Sequence, residues 1–136
     1  MKDTLSHRRR QAGATIVEFA LTALVFFVVV SGIVELGHIA YVWNATAEAT
    51  RAGARAASVS SMNSAKIGEA MRAVLPDLTD SQFTVEYSPA GCNADNCELI
   101  TVSIDSYAIT PLFMPGAEIP VPRSITTLQR EGLGLI

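Results

Sequence analysis

From Phe19 to Val34 the chain reads FALTALVFFVVVSGIV without one charged residue, and this run constrains the molecule more than any other feature. Extended back to Ala14 it gives about 20 residues, which at about 1.5 Å per residue matches the roughly 30 Å hydrocarbon core of a bilayer. A buried helix of a soluble protein would carry polar residues at helical spacing, and only Thr22 and Ser31 interrupt here. The sequence predicts a transmembrane helix. Apolar residues make up 49% of the chain and charged residues 17%. The mean hydropathy of +0.32 is high for a soluble protein, and this one segment concentrates the excess.

The flanks set the expected orientation. Lys2, His7, Arg8, Arg9 and Arg10 precede the span, and Glu35 is the first charge after it. Basic residues are retained on the cytoplasmic side, so the N-terminus is expected inside and the remainder exported. Tyr41 and Trp43 stand where an aromatic belt is expected at the outer interface. The net charge of −3 hides a split: without Lys2, Asp3 and the three arginines, six basic and twelve acidic residues remain. A net acidic exported part is poorly suited to neutralise phosphates, which argues against nucleic acid as a partner.

Three regions follow: a basic cytoplasmic leader over 1–13, a transmembrane and extended N-terminal helix over 14–60, and an exported α+β domain over 61–136. The leader is polar and expected to be disordered. Ala14 to about Ser58 lacks proline and reads as one helix, rich in alanine beyond Asn44. Gly53 marks either close packing or the approach to the helix end. Glu48 precedes Arg51 and Arg55 by three and seven residues, so all three share a face. That face is a candidate inter-subunit polar surface, although a solvated ion-pair face is the commoner outcome and worth little energy.

Ser58–Ser64 reads as a linker and Ala65–Leu75 as a short amphipathic helix that Pro76 ends. Thereafter the pattern switches to period two. Gln82–Tyr87, Leu99–Ser106 and Arg123–Arg130 read as strands, and the proline-rich Thr110–Pro122 as a loop or edge connection. The expected architecture is α+β: a long helix, a short helix and a small antiparallel meander of three strands. Tyr107, Leu112, Phe113 and Met114, beside prolines, could form an exposed contact patch, although cover for the core's edge is the commoner outcome.

Cys92 and Cys97, in CNADNC, read as a disulfide closing a short loop in an oxidising compartment. A metal site is the alternative, and two thiols without a nearby His or third Cys make a poor zinc site. Catalytic parts are lacking: no phosphate loop, no HExxH and no paired histidines. His38 stands beside the span, far in sequence from the cysteines. Asp77, Asp80 and Asp105 are separate and expected to be solvated. Neither catalytic residues nor a cofactor or metal is expected.

Gly13 separates the arginine run from the apolar helix, and a lone Glu18 follows five positions later. Carboxylates near the end of a membrane helix are expensive and usually functional. The arrangement resembles the leader of type IV pilins. That resemblance implies cleavage between Gly13 and Ala14 by a prepilin peptidase, with Glu18 attracting a neighbouring subunit's N-terminal amine. A secretory signal peptide fits less well, because the apolar run is long and no small-x-small site lies close to Val34.

The likeness narrows further along. Glu18-Phe19-Ala20-Leu21, Gly32-Ile33-Val34-Glu35-Leu36-Gly37, Tyr41, Asn44-Ala45 and Arg51–Ala57 resemble the TadE-like family, minor pilins (pseudopilins) of tight-adherence, Flp-type IVb pilus systems. Ile125–Gly132, with its Arg130-Glu131 close, resembles the family's last strand. Many members carry a proline a few residues after the EFAL stretch, where this chain has Thr22-Ala23-Leu24. A straighter helix is expected here. The resemblance implies a non-enzymatic subunit acting in assembly, initiation or the tip of a surface pilus used for adherence or biofilm formation. Its implied partners are a prepilin peptidase, other pilin and pseudopilin subunits, an inner-membrane assembly platform and membrane lipid. The packing contacts of Phe19 and the charge of Glu18 would fix register between subunits. The expected location is the bacterial inner membrane, with the C-terminal domain periplasmic. Hydropathy alone fits an uncleaved membrane anchor whose exported domain binds an envelope partner equally well.

Overall fold

The computed structural model describes residues 3–93 and 96–130, with side chains from Gly13 onward. The elements are α1 (Asp3–Val59), α2 (Ala65–Arg72), a 3-10 turn (Asp80–Gln82), β1 (Phe83–Ser88), β2 (Leu99–Ile104), β3 (Ala108–Ile109), β4 (Ile119–Pro120) and β5 (Ser124–Gln129). This is the α+β arrangement that the periodicities predict. Two compact units divide the chain, Met1–Gly37 and His38–Ile136.

In the first unit the helix begins at Asp3, not at Ala14. The expectation of a disordered leader is corrected to that extent. No proline interrupts residues 3–13, and extending an existing helix needs no new nucleus. The large apolar side chains from Ile16 to Leu36 are exposed. Among the described residues, one helix is long and apolar enough to cross a membrane. The Thr22 hydroxyl donates to the Glu18 carbonyl at 2.9 Å. A proline at position 22 would clash with that carbonyl and remove its helical bond, so Thr22 supports an uninterrupted helix here.

In the second unit the helix buries one stripe: Val42, Ala45, Thr46, Ala49, Thr50, Gly53, Ala54 and Ala57. Spacings of three and one residues keep all of them on one side of a 3.6-residue helix. Four alanines let the backbone approach closely, and Ala45, Ala49, Ala54 and Ala57 pack with Ile67 and Met71 of α2 and Ile100, Val102 and Ile104 of β2. Gly53 is needed for this approach. A Cβ there would stand 2.7 Å from Met71 Cγ and 2.8 Å from its Sδ. Of the two sequence readings of Gly53, close packing is the one observed.

The three-stranded antiparallel sheet has the order β1-β2-β5. Its rows Tyr87–Ile100–Leu128, Val85–Val102–Thr126 and Phe83–Ile104–Ser124 follow from the register. Side chains at alternate positions share a face, so these rows bring the apolar residues of β1 and β2, except the exposed Leu99, to the same side. β2 is central and carries three fully or nearly fully buried aliphatics, Ile100, Val102 and Ile104. Full burial of one such side chain stabilises by about 1.5–3 kcal/mol.

The proline-rich stretch is not wholly a loop. Ile119–Pro120 pairs with Ala108–Ile109 as a separate two-stranded ribbon, inserted between β2 and β5. Its shortness suits Pro120, which lacks a donor and belongs at an edge. A second small core holds the ribbon, with Ile109 and Val121 against Val42. The linker ends at Ser64, whose hydroxyl caps α2 by accepting from Lys66 N at 3.3 Å. Asn63, at φ 56°, turns the chain into that cap and donates its N–H to the Tyr87 hydroxyl at 3.0 Å. The helix stops at Arg72, three residues before the expected end. Val74 N and Leu75 N both bond to the Met71 carbonyl, closing the helix in tight turns ahead of Pro76.

Candidate assembly surface

The residues singled out for assembly fall into three places. Gly13, Ala14, Glu18 and Phe19 lie in the first unit, all helical and exposed. Phe19 shows 73% of its surface. Ala14 and Glu18 are four apart and share a helix face. Nothing approaches within 4 Å of a Cβ built at Gly13, Gly32 or Gly37, so this chain's own packing does not require those glycines. The Gly13–Ala14 peptide is helical, and glycine weakens a helix by about 1 kcal/mol relative to alanine at that point. Local opening there is correspondingly easier.

Glu48, Arg51 and Arg55 lie in the second unit on the helix side facing away from its core, and all three are exposed. Glu48 Oε2 and Arg51 Nη1 are 3.5 Å apart. Arg55 makes no ion pair among the described residues. Its carbonyl accepts from the Ser58 hydroxyl at 2.8 Å. With Tyr41 and Asn44, also exposed, they form a stripe at three- and four-residue spacing opposite the buried one.

Cys92 and Cys97 form a disulfide with Cα atoms 5.1 Å apart, inside the usual range. Ala94 and Asp95 of this loop, like Glu131 and Gly132 of the C-terminal motif, lie outside the described residues. Among the described residues, no three of His, Cys, Asp and Glu come together as a metal site.

Sequence reasoning missed the pairing of two aspartates. Asp80 forms an ion pair with Arg72, whose Nε also donates to the Leu78 carbonyl at 3.1 Å. Asp105 pairs with Arg123 and accepts from the Ser103 hydroxyl at 3.1 Å. Arg72 and Asp80 belong to different elements, and Asp105 and Arg123 flank β2 and β5, so only Arg72 and Asp80, eight residues apart, left any trace in the sequence. It also missed a cleft of about 520 Å³ whose lining includes His38, Tyr41, Asp77, Gln82, Tyr107 and Leu112. Burial, and secondarily the Asp77 carboxylate, raise the Tyr107 phenol above its usual pKa of 10.0. A neutral phenol, a histidine and a carboxylate around an open cleft do not supply a nucleophile with a partnered base.

Residues 13–55 match the family model described as TadE-like protein, the family that the sequence motifs resemble. The match runs from Gly13 to Arg55 and includes every residue of the two helical surfaces above. No curated protein matches the chain, and no solved structure matches it.

Proposed function

We propose that this chain, whose residues 13–55 match TadE-like proteins, is a non-enzymatic minor pilin or pseudopilin of a tight-adherence pilus system. It is anchored by the apolar helix with its N-terminus cytoplasmic, and a prepilin peptidase cuts it after Gly13. Cleavage leaves a new ammonium at Ala14 and places Glu18 one helical turn beyond it.

The observation that carries this reading is the exposure of the first unit's apolar side chains around a lone carboxylate. The chain's own fold covers none of the stretch from Ile16 to Val30 tightly. Lipid and the helices of neighbouring subunits are what such a surface suits, with close packing replacing the hydrophobic effect between helices in the membrane. A carboxylate among them is costly unless a cation neutralises it, and a neighbouring subunit's N-terminal ammonium supplies that charge. The Glu48–Arg51–Arg55 stripe continues as a polar contact surface outside the bilayer. The β domain gives this subunit a place at initiation or at the tip, or in assembly at the inner-membrane platform.

Replacing Glu18 by Gln in a piliated strain tests the proposal. The protein should accumulate in the membrane and be cleaved, while pili in the sheared fraction fall or lose this subunit. Wild-type piliation and incorporation of E18Q would contradict the assigned role.

A further inference from the structure

We infer that the loop between β3 and β4 is a second membrane contact, seating Leu112, Phe113 and Met114 in the headgroup–acyl boundary of the leaflet where the helix leaves the bilayer. The inference rests on the membrane-anchored reading of the apolar helix. Three observations from the second unit carry it.

The side chains are large, apolar and displayed. Leu112, Phe113 and Met114 are 58%, 57% and 64% exposed, a concentration at one loop tip that a small aqueous domain has no reason to maintain. The display is built into the backbone. Met114-Pro115-Gly116-Ala117 closes a turn with Ala117 N donating to the Met114 carbonyl at 3.2 Å. Proline at the second position and Gly116 at φ +95° at the third are the residues a type II turn requires.

The loop lies beside the residues with which the chain enters this unit. Ile109 and Val121, at the two ends of the ribbon, pack on Val42. Leu112 lines the same cleft as His38 and Tyr41, and His38 is the first residue after the unit that holds the apolar stretch. The loop therefore lies beside the first residues of this unit, those that directly follow the apolar segment in sequence. Tyr41 and Trp43, close by in the helix, are exposed aromatics of the kind that populate membrane interfaces.

Charge is consistent with lipid. Residues 107–117 contain no Asp, Glu, Lys, Arg or His, and the one charge of the loop, the exposed Glu118, stands at its base next to β4, so the Leu112–Met114 tip enters to headgroup depth with that carboxylate left on the polar side. Interfacial segments bury their apolar side chains about 5–10 Å into this zone, a depth that a three-residue tip reaches without moving the sheet.

The test uses the full chain in phosphatidylcholine vesicles. Trp43 is the only tryptophan, so F113W in a W43F background gives a single reporter, and L24W in the same background reports the span. Brominated lipids carry the quencher at shallow or deep acyl positions. The expected result is blue-shifted F113W emission, quenched more by shallow than by deep bromines, with L24W quenched most by deep ones. Water-like F113W emission without lipid quenching, alongside a quenched L24W, would overturn the inference and leave the anchor intact. Blue-shifted F113W emission that bromines do not quench would assign the patch to a protein neighbour and overturn it equally. If L24W is also unquenched, the membrane reading itself fails.

Discussion

The hydroxyl oxygens of Thr50 and Thr126 lie 3.0 Å apart, tying the middle of α1's buried stripe to the last strand. Thr50 also donates to the Ala47 carbonyl at 2.9 Å. A hydroxyl has one proton, so Thr126 is the donor between the two. Ser124 adds a third hydroxyl at 3.4 Å. Thr50 is fully buried, and a buried polar atom without a partner costs about 1–3 kcal/mol. Thr50→Val keeps the shape and removes the acceptor. We expect a loss of about 1–2 kcal/mol in the thermal unfolding of the detergent-solubilised chain. Adding Thr126→Val should recover part of it, since both partners are then apolar. An additive double mutant would show that the two hydroxyls are not coupled.

Gly53→Ala should destabilise although it adds a better helix former. Overpacking typically costs about 1–3 kcal/mol, against a gain of up to about 1 kcal/mol for replacing glycine in a helix. Met71 is fully buried and has little room to yield. Alanine at Gly32 or Gly37, where nothing lies within 4 Å, should leave the isolated chain as stable or more so. Circular-dichroism melts of the three variants distinguish these outcomes.

Reducing the disulfide should cost stability. For the short loop between Cys92 and Cys97, separated by five positions, chain entropy gives about 2 kcal/mol. Cys92→Ser with Cys97→Ser should lower the melting temperature as much as reductant does. Reductant should then have no further effect on the double mutant.

Tyr107 gives a pH dependence with a defined sign. Burial, then Asp77, raises its folded-state pKa, so the folded chain holds the proton more tightly than the unfolded chain. Its contribution is fully present below the unfolded pKa of about 10 and is lost as pH rises through the folded value. Tyr107→Phe should flatten the alkaline decline in stability. An unchanged alkaline limb in denaturant titrations would remove Tyr107 from the account.

Much of this was legible in the sequence for reasons of period. The uncharged run set α1's apolar segment, alternation placed β1, β2 and β5 within one or two residues, and Pro76 marked the end of α2's region. Local signals could not show contacts between distant elements. Gly53 was ambiguous until Met71 was placed over it. The pairs Arg72–Asp80 and Arg123–Asp105 depend on how elements meet. The β3–β4 ribbon is two residues per strand, too short for alternation to register. Exposure of Leu112, Phe113 and Met114 is likewise a tertiary fact, since apolar residues beside prolines more often cover the edge of a core, and here they do not. The N-terminal segment was different. Gly13 and Glu18 stood out by spacing and residue type alone, and the fold adds their exposure and the helix face that Glu18 shares with Ala14.

The measurement closest to the central claim is the N-terminal residue and mass of the protein taken from membranes of a strain with an active prepilin peptidase, alongside Gly13→Val. The account predicts a chain beginning at Ala14 and a variant that keeps Met1–Gly13. An intact leader on the wild-type protein would contradict it and leave a plain membrane anchor.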